Sequence, residues 1–242
     1  DGKKDIFVFE RVGDRVLCFL NNNDGVGTDF DYSQDYSKDF PELNKWALLV
    51  DFNSDGKEDI FTYNDSYVKV YRNTSQGENL SFQIETQALI SDLGPIVSAI
   101  IISEVDIPSF VDVDGDQDID VLTFKQSGGY VEYHQNQSQE LYGNCDSLVF
   151  ELKTDCWGEF FEGLNTYDFN SCNEDAIVEQ VETRSSGAHS GSSSLALDMD
   201  GDNDMDFILG DVSFNNLNLL INGGDSQDAS MVSVNQDFPI GN

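Results

Sequence analysis

One acidic stretch occurs three times in the chain, and it constrains the possible fold more than any other feature. The copies are DFNSDGKEDI at residues 51–60, DVDGDQDIDV at 112–121 and DMDGDNDMDF at 198–207. Each copy has the pattern D-x-[DN]-x-D-x-x-x-D followed by an apolar residue, so oxygen-bearing side chains recur at positions 1, 3, 5 and 9. Calcium takes six to eight oxygen ligands, which alternate side chains and a backbone carbonyl of a tight loop can supply. The stretch therefore predicts a loop that wraps a hard cation.

The residues that flank each copy predict strands and exclude an EF-hand. An EF-hand loop needs a bidentate Glu at position 12 and a helix on each side, but position 12 is Thr62, Thr123 and Leu209 here. The residues that follow the loops read DIFTY, DVLTF and DFILG, which are rich in β-branched and aromatic side chains. The residues before the loops, 46–50, 108–111 and 195–197, are mostly apolar. We expect each loop to join two strands, with the Asp at position 9 in place of the Glu.

The repeated strand–loop–strand unit resembles the FG-GAP/VCBS repeat of integrin-α-like β-propellers. In that family the loop lies between the first two strands of a blade and binds calcium, and position 7 contributes its backbone carbonyl. The resemblance covers most of the chain outside residues 141–187, but the Phe-Gly and Gly-Ala-Pro signatures are not intact. The glycine usual at position 6 is present as Gly56, whereas the other copies have Gln117 and Asn203 there and carry Gly115 and Gly201 at position 4.

The resemblance implies about three full calcium sites and one partial site. The positions of the three full sites are Asp51, Asn53, Asp55, Lys57 and Asp59; Asp112, Asp114, Asp116, Asp118 and Asp120; and Asp198, Asp200, Asp202, Asp204 and Asp206. A remnant of the pattern at residues 1–6 implies a partial site at Asp1, Lys3 and Asp5.

Two alternatives to bound calcium exist for these loops. Asp, Asn and Gly favour turns without any ligand, so the loops could be solvated turns. However, like charges 4 Å apart repel by about 4 kcal/mol at an effective dielectric near 20, and up to five carboxylates converge in one loop. Magnesium is the rival ion, but its strict octahedral geometry suits a flexible carboxylate-rich loop less well than calcium does.

The spacing of the copies predicts an all-β fold, a segment of a β-propeller with about four blades of four antiparallel strands. We expect an incomplete first blade at residues 1–40, blades at 41–91, 96–153 and 188–236, and a Cys-containing insertion at 154–187. Outer strands are expected within 28–39 and across 80–90. The segments 68–73, 131–136 and 217–222 each end in Asn at the same phase. Four units are too few for a seven-bladed ring, so we expect either a propeller that continues beyond both ends or an open arc of blades.

Composition narrows the set of partners. The chain has 46 acidic and 12 basic residues and a net charge of −34, which disfavours nucleic acid and anionic membrane surfaces. The longest apolar run, residues 95–102, is too short to cross a bilayer, so no membrane insertion is expected. Calcium loops favour an extracellular location, secreted or on the cell surface, because free calcium is scarce in cytosol.

The four cysteines predict one disulfide in the insertion. Cys18 lies alone in a predicted strand and is interpreted as a small buried hydrophobe. Cys145, Cys156 and Cys172 allow one bridge among them if the protein is secreted. The pair Cys156–Cys172 is favoured because an extended strand would hold Cys145 and Cys156 apart, but the other pairings stay open.

No pattern of catalytic residues is visible. The two histidines, His134 and His189, have no nucleophile at a suitable spacing, and abundant acidic residues make any carboxylate pair uninformative. Trp46 and Trp157 are interpreted as packing residues, with Trp157 the better candidate for an exposed contact. The chain is therefore expected not to be an enzyme.

The functional expectation is a calcium-stabilised module of a secreted or cell-surface protein, used for adhesion or protein–protein interaction. The alternative is a carbohydrate-binding or polysaccharide-acting enzyme module. The partner would be a surface protein or a glycan. Segments such as CDSLVFELKTDCWGEFFEG resemble large surface proteins of bacteria that use type IX secretion.

Overall fold

Four sheets, antiparallel except for one parallel pair in the third, follow one another along the chain and form the four blades of an all-β propeller fold. The structure is a computed structural model that describes residues 3–23, 29–172 and 191–239. Two compact units divide the chain: residues 1–51 with 55–88, and residues 52–54 with 89–242. Each unit contains two blades.

Blade 1 is a three-stranded meander in the first unit. Its strands are β1 (Ile6–Glu10), β2 (Arg15–Asn21) and β3 (Phe30–Ser33), in the order β1-β2-β3. We expected an edge strand within residues 28–39, but β3 ends at Ser33 and a short helix, α1 (Gln34–Asp39), follows it. The hydroxyl of Ser33 accepts a hydrogen bond from the Tyr36 N–H at 3.4 Å, so Ser33 caps the helix.

Blade 2 has four strands in sequential order. They are β4 (Ala47–Val50), β5 (Asp59–Asn64), β6 (Tyr67–Asn73) and β7 (Phe82–Thr86). The core of this unit contains buried Leu43, Ile60 and Tyr71. Partly buried side chains pack against these three, namely Phe7, Phe9, Val16, Phe40, Ala47 and Phe82.

The outer strand of blade 2 is shorter than the expected span of 80–90. It ends at Thr86, whose hydroxyl donates to the Ala88 carbonyl oxygen at 2.8 Å and accepts from the Ala88 N–H at 3.3 Å. This local turn diverts the chain away from β7, because a side-chain bond to nearby backbone replaces a ladder bond.

Blade 3 is enlarged to six strands and opens the second unit. Its elements are β8 (Ile90–Asp92), β9 (Val97–Ala99), β10 (Ser109–Val111), β11 (Asp120–Phe124), β12 (Val131–Asn136), a short helix α2 (Ser138–Tyr142), and β13 (Phe150–Thr154). The strand order is β10-β11-β12-β13-β8-β9, and β8 pairs with β13 in parallel. The preceding segment thus adds a two-stranded extension to the outer edge of the blade.

A small hairpin and blade 4 complete the described chain. The hairpin is β14 (Phe160–Glu162) with β15 (Tyr167–Phe169), and the disulfide Cys156–Cys172 brackets it. This pairing confirms the favoured cysteine bridge. Blade 4 has the strands β16 (Ser192–Leu197), β17 (Asp206–Asp211), β18 (Leu217–Asn222) and β19 (Met231–Phe238). Residues 173–187 of the expected insertion, and residues 188–190, lie outside the described ranges.

Aromatic side chains fill the core of the second unit. Trp157 is 3% exposed and packs edge-to-face on Phe207, with ring centroids 5.2 Å apart. The interpretation of Trp157 as a packing residue is therefore confirmed, and the exposed contact for which it was the better candidate of the two tryptophans is not made. Its ring is the largest apolar surface in the disulfide loop and is buried for that reason. In the part of the chain that the structure describes, no helix has the length and apolarity needed to cross a membrane.

Candidate metal centre

The three acidic loops connect the first two strands of blades 2, 3 and 4 in the same register. The residue before position 1 pairs with the Asp at position 9 in every case: Val50 with Asp59, Val111 with Asp120, and Leu197 with Asp206. Identical strand pairing fixes identical loop length. Equivalent positions of the three loops can therefore be compared directly.

The Asp at position 1 organises the loop backbone in each blade. In blade 3, Oδ1 of Asp112 accepts from the N–H groups of Gly115 and Asp116 at 2.8 and 3.1 Å, and Oδ2 accepts from Gln117 at 3.0 Å. Asp198 accepts from three loop N–H groups in the same way, and Asp51 from two. These bonds curl the loop around its first carboxylate, as expected for a side chain that mimics a backbone turn.

Positions 4 and 6 have positive φ in all three loops. The values at position 4 are 56°, 84° and 87° for Ser54, Gly115 and Gly201, and those at position 6 are 81°, 82° and 72° for Gly56, Gln117 and Asn203. Each loop therefore places glycine at one of two left-handed positions and accepts a strained residue at the other. This explains why glycine moves between positions 6 and 4 without a change of loop geometry.

The Asp at position 9 is fully buried and ties the loop to the end of the third strand along the chain. The side chains of Asp59, Asp120 and Asp206 are each 0% exposed. Their Oδ1 atoms accept from the backbone N–H of the phase-matched asparagines at 2.7, 2.7 and 2.8 Å; these are Asn73, Asn136 and Asn222. In blade 1, Oδ1 of Asp5 accepts from the N–H of Asn21 at 2.8 Å, so the same joint is present there.

Carboxylates converge within the loop of blade 3 and, separately, within the loop of blade 4. The carboxylate oxygens of Asp112, Asp114 and Asp120 lie within 4.8 Å of one another, as do those of Asp198, Asp200 and Asp206. Within the described ranges, the loop of blade 2 has no such group of three. Its Asp55 lies 3.5 Å from the ammonium of Lys57. Asp1 of the predicted partial site is outside the described residues.

Several loop carboxylates have a buried oxygen that lacks a hydrogen-bond partner. Asp118 and Asp204 are 0% and 4% exposed, and one oxygen of each, Oδ1, is buried without a hydrogen-bond partner; Oδ2 of Asp116 is in the same condition. Burial, opposed by a backbone hydrogen bond but reinforced by nearby carboxylates, raises the pKa of Asp118 to about 6. Burial raises the pKa of Asp120 to about 8, and burial with the charges of Asp202 and Asp206 raises that of Asp204 to about 6.

These residues fit a hard divalent cation. Unpaired buried carboxylate oxygens are costly unless a positive charge or a donor faces them. The loops of blades 3 and 4 place their carboxylate oxygens at the separations found around one ion. The residues that would hold the ion in blade 3 are Asp112, Asp114, Asp116 and Asp120, with the carbonyl of Asp118. A bound cation supplies positive charge that neutralises the cluster and cross-links the loop.

Comparison with known families adds a direct match. Residues 51–123 match the family model described as FG-GAP-like repeat. This part of the chain is similar to the FG-GAP-like repeat. The matched FG-GAP-like segment begins at position 1 of the blade 2 loop, includes the whole blade 3 loop and ends in β11. No curated protein matches the chain.

One acidic residue close to the FG-GAP-like loop of blade 3 was missed by the sequence analysis. Glu140, on α2, has a carboxylate oxygen within 4.8 Å of those of Asp114 and Asp116. The N–H of Gln139 donates to Oδ2 of Asp118 at 3.0 Å, so this helix docks on the loop. Glu140 lies 20 residues beyond Asp120, in the connection between β12 and β13, and no repeated spacing in the sequence indicates it.

The other side chains that could take part in catalysis are buried and make structural contacts. Nδ1 of buried His134 lies 2.9 Å from the Ser91 hydroxyl, and Nε2 lies 3.4 Å from Oε2 of Glu132. Burial raises the pKa of the Cys18 thiol to about 11, so Cys18 is a poor nucleophile at neutral pH. His189 lies outside the described residues.

Proposed function

We propose that this chain is a calcium-stabilised, non-catalytic β-propeller module of a secreted or cell-surface protein, used for adhesion or protein–protein interaction. The FG-GAP-like repeat and the four blades support an interaction module. The disulfide Cys156–Cys172 supports an oxidising, extracytoplasmic location.

The observation that carries the calcium proposal is the unpaired oxygen of Asp118 and its counterpart on Asp204. Both are buried in the two loops whose carboxylates converge, and neither has a hydrogen-bond donor. In water these groups would keep their hydration, so burying them without a cation destabilises the fold. Calcium is favoured over magnesium because the loop offers many oxygens without strict octahedral symmetry.

We propose a non-catalytic role because of where the clustered acidic side chains lie and what they contact. Within the described residues, every group of three or more convergent acidic or metal-ligating side chains contains residues of the acidic loop of blade 3 or blade 4, joined in one group by Glu140 of α2. These loops lie at strand connections and their carboxylates already bind backbone N–H groups. Residues engaged in this way support a structural role.

A second candidate function is carbohydrate binding, and one cavity favours it. A cavity of about 450 Å³ lies beside the disulfide and is lined by aromatic, basic and acidic side chains. The lining includes Lys125, Tyr130, Lys153, Asp155 and Glu159. Rings combined with a few polar groups are suited to orienting a polar ligand. The ammonium of Lys125 contacts Asp155 and lies 5.8 Å from the centroid of the Tyr130 ring, so part of this lining is preordered.

Metal content and thermal stability, measured together, test the calcium proposal. Metal-stripped protein would be compared with protein resupplied with calcium or with magnesium, and bound metal would be counted by atomic emission. We expect at least two calcium ions per chain and a melting temperature that rises with calcium and much less with magnesium, because binding to the folded state alone stabilises it. Absence of bound metal and of any thermal shift would overturn the proposal.

The interaction role needs a separate test. Surfaces coated with the calcium-loaded protein would be probed with purified extracellular proteins and with an array of glycans. Protein binding that survives Lys125→Ala and Tyr130→Ala would support the interaction role. Saturable glycan binding that these two substitutions abolish, in protein with an unchanged melting temperature, would instead support the cavity as a carbohydrate site. Turnover of a glycan would contradict a non-catalytic role.

A further inference from the structure

We propose that the outer edge of blade 3 binds an extended segment of a partner protein, which adds a strand beside β9 and carries basic and apolar side chains at alternate positions. This binding site rests on the proposed interaction role of the chain. It adds to that role a surface and the chemistry of a partner. The surface is separate from the acidic loops, which connect the first two strands of blades 2, 3 and 4.

The backbone of β9 has one edge that no strand covers. β9 is the last strand in the order β10-β11-β12-β13-β8-β9, and within the described ranges no further strand pairs with it. The Ile96 carbonyl oxygen and the Ile100 N–H each make a 2.9 Å hydrogen bond to the side of the hairpin that contains β8. Backbone groups alternate in direction along a strand, so those of Val97 and Ala99 point away from β8. These outward N–H and C=O groups can pair with one more strand.

The exposed face at this edge is apolar. Val97 and Ile96 are 66% and 61% exposed, and Ile90 of the neighbouring strand is 45% exposed. Ile90 pairs with Ala99, so these two side chains lie next to each other on the same face as Val97. Residues 93–103 contain no charged side chain. An added strand would remove apolar surface from water here, which stabilises the complex.

The outer strands of blades 2 and 4 differ from β9. The carboxylate of Glu85 in β7 forms a 2.7 Å ion pair with Arg72. β19 contains Asp237, and its pairing with β18 has two register shifts. Charged side chains and irregular pairing at an edge hinder the addition of another strand. β9 contains no charged residue, and its described pairing with β8 has no register shift.

Two acidic side chains beside β9 favour a basic partner. Val97 pairs with Asp92, and Asp92 pairs with Glu151 of β13, so the three side chains form one row on one face. Both carboxylates are exposed, and no ion pair in the described part of the chain includes either of them. Like charges on adjacent strands repel. A cation from the partner would relieve this repulsion.

A Lys or Arg side chain has the length that this row requires. An added strand would lie two strand spacings, about 10 Å, from the backbone of Asp92. The aliphatic stem of Lys or Arg would pack over Val97 while its charged end reaches the carboxylate of Asp92. The next side chain of the partner on the same face would contact Ala99 and Ile90, where an apolar residue is favoured. The partner segment therefore alternates basic and apolar side chains on this face.

A second copy of this chain is a less suitable occupant. Its own β9 lies within residues 93–103, which offer no basic side chain to Asp92 and Glu151. Two copies that each have a net charge of −34 also repel one another. A segment of opposite charge from another protein avoids both costs.

Selection from a phage-displayed library of short random peptides tests this site. The calcium-loaded chain would be the bait, and the affinities of synthesised copies of the selected peptides would be measured by calorimetry. We expect Lys or Arg and apolar residues at alternate positions. Ala99→Pro removes an outward N–H, and Val97→Lys places a positive charge on the exposed face, so each should weaken binding by about tenfold. The melting temperature of each variant would be measured first, and Val97→Lys changes an exposed side chain that the fold does not bury.

A pair of double variants tests the acidic row. Asp92→Asn/Glu151→Gln should weaken binding of the selected peptides by about tenfold at low salt and by less at high salt, because salt screens exposed charges. Asp35→Asn/Asp39→Asn is the matched control, since it removes two exposed carboxylates from α1. It should leave the affinity unchanged within about twofold.

Three results would overturn the site. They are affinities that neither Ala99→Pro nor Val97→Lys changes, selected peptides without basic residues, and dimers of the chain that Val97→Lys dissociates, because the occupant would then be a second copy. If the peptides fail these tests while the coated surfaces still bind extracellular proteins, only the β9 site is wrong. If no protein binds either, the proposed interaction role is wrong as well.

Discussion

The backbone N–H of Asn136 donates a 2.7 Å hydrogen bond to Oδ1 of Asp120. This bond joins the end of β12 to the end of the acidic loop, and the equivalent pairs in blades 2 and 4 have nearly the same length. Oδ2 of Asp120 also accepts from the Val113 N–H at 2.9 Å and from the Tyr133 hydroxyl at 3.2 Å. One buried carboxylate therefore satisfies backbone donors from two directions while it faces the proposed ion.

Two substitutions of Asp120 should separate these roles. Asp120→Ala removes the acceptor and leaves the N–H groups of Asn136 and Val113 buried and unpaired. Each costs about 1–3 kcal/mol, so we expect about 3 kcal/mol less stability in EGTA. Asp120→Asn keeps an acceptor oxygen but no charge, so it should change metal-free stability far less and mainly weaken calcium stabilisation. Urea unfolding with and without calcium measures both effects, and equal losses for the two variants would contradict this division.

Stability of the metal-free protein should fall as pH rises from about 4 to about 8. The pKa of Asp120 is about 8 in the folded protein, mainly because of burial, and its unfolded value is near 3.9. A folded pKa above the unfolded one means that the protonated carboxyl stabilises the fold below pH 4, and that this stabilisation is lost as pH rises through 8. The carboxylates of Asp114 and Asp118 act in the same direction.

The check is a series of denaturant midpoints between pH 4 and pH 9 on metal-stripped protein. Asp120→Asn should flatten the slope, and saturating calcium should abolish or reverse it because the ion favours the charged carboxylates. A metal-free protein whose stability increases steadily with pH over this range would disprove the prediction.

Position 4 of the blade 3 loop should be sensitive to backbone strain alone. Gly115 has φ of 84°, and a Cβ added there would meet no atom within 4 Å. Gly115→Ala should therefore cost about 1–2 kcal/mol through the left-handed conformation and nothing through crowding. Gly115→Asn should cost less, since Asn tolerates this region better. Thermal unfolding in calcium compares the two, and an equal loss for Ala and Asn would indicate a different cause.

Removal of the disulfide should destabilise the second unit. Cys156 and Cys172 are 16 residues apart, and a bridge across a loop of this size contributes about 3 kcal/mol. We expect the double variant Cys156→Ser/Cys172→Ser to lose about that much stability under oxidising conditions. Cys145→Ser is the matched control because Cys145 is a free, partly buried thiol, and it should change stability by less than about 1 kcal/mol. Comparable losses in both variants would contradict the prediction.

The repeated part of the fold could be predicted from the sequence because its signals are local. Asp at position 9 is followed by the phase-matched Asn 14 residues later in blade 2 and 16 residues later in the other blades, and the structure joins the two by a hydrogen bond in all four blades. Apolar and β-branched residues on both sides of each loop indicated strands, and β4, β5, β10, β11, β16 and β17 lie there.

The unpredicted features depend on single side chains or on tertiary contacts. Alternating Asp, Tyr and Ser in residues 28–39 favoured a strand, and β3 lies in the first part of this range, but the cap provided by Ser33 starts α1 in the second part. The proximity of Glu140 to Asp114 is set by the docking of α2 on the loop, and no periodicity encodes such a contact. Trp157 is buried because the disulfide loop folds back onto blade 4, where Met231 donates its N–H to the Gly158 carbonyl oxygen.

The joint between Asp5 and Asn21 in blade 1 has a consequence for surveys of related genomes. The carboxylate that accepts this hydrogen bond belongs to the first, incomplete repeat, in which positions 7 and 8 are Lys3 and Lys4. The Asp at position 9 can therefore be retained in evolution for its structural role alone, because its carboxylate oxygens accept hydrogen bonds from backbone N–H groups of the blade. The presence of this aspartate alone therefore does not indicate a bound ion. The acidic residues at positions 1, 3 and 5 are the better markers of metal content.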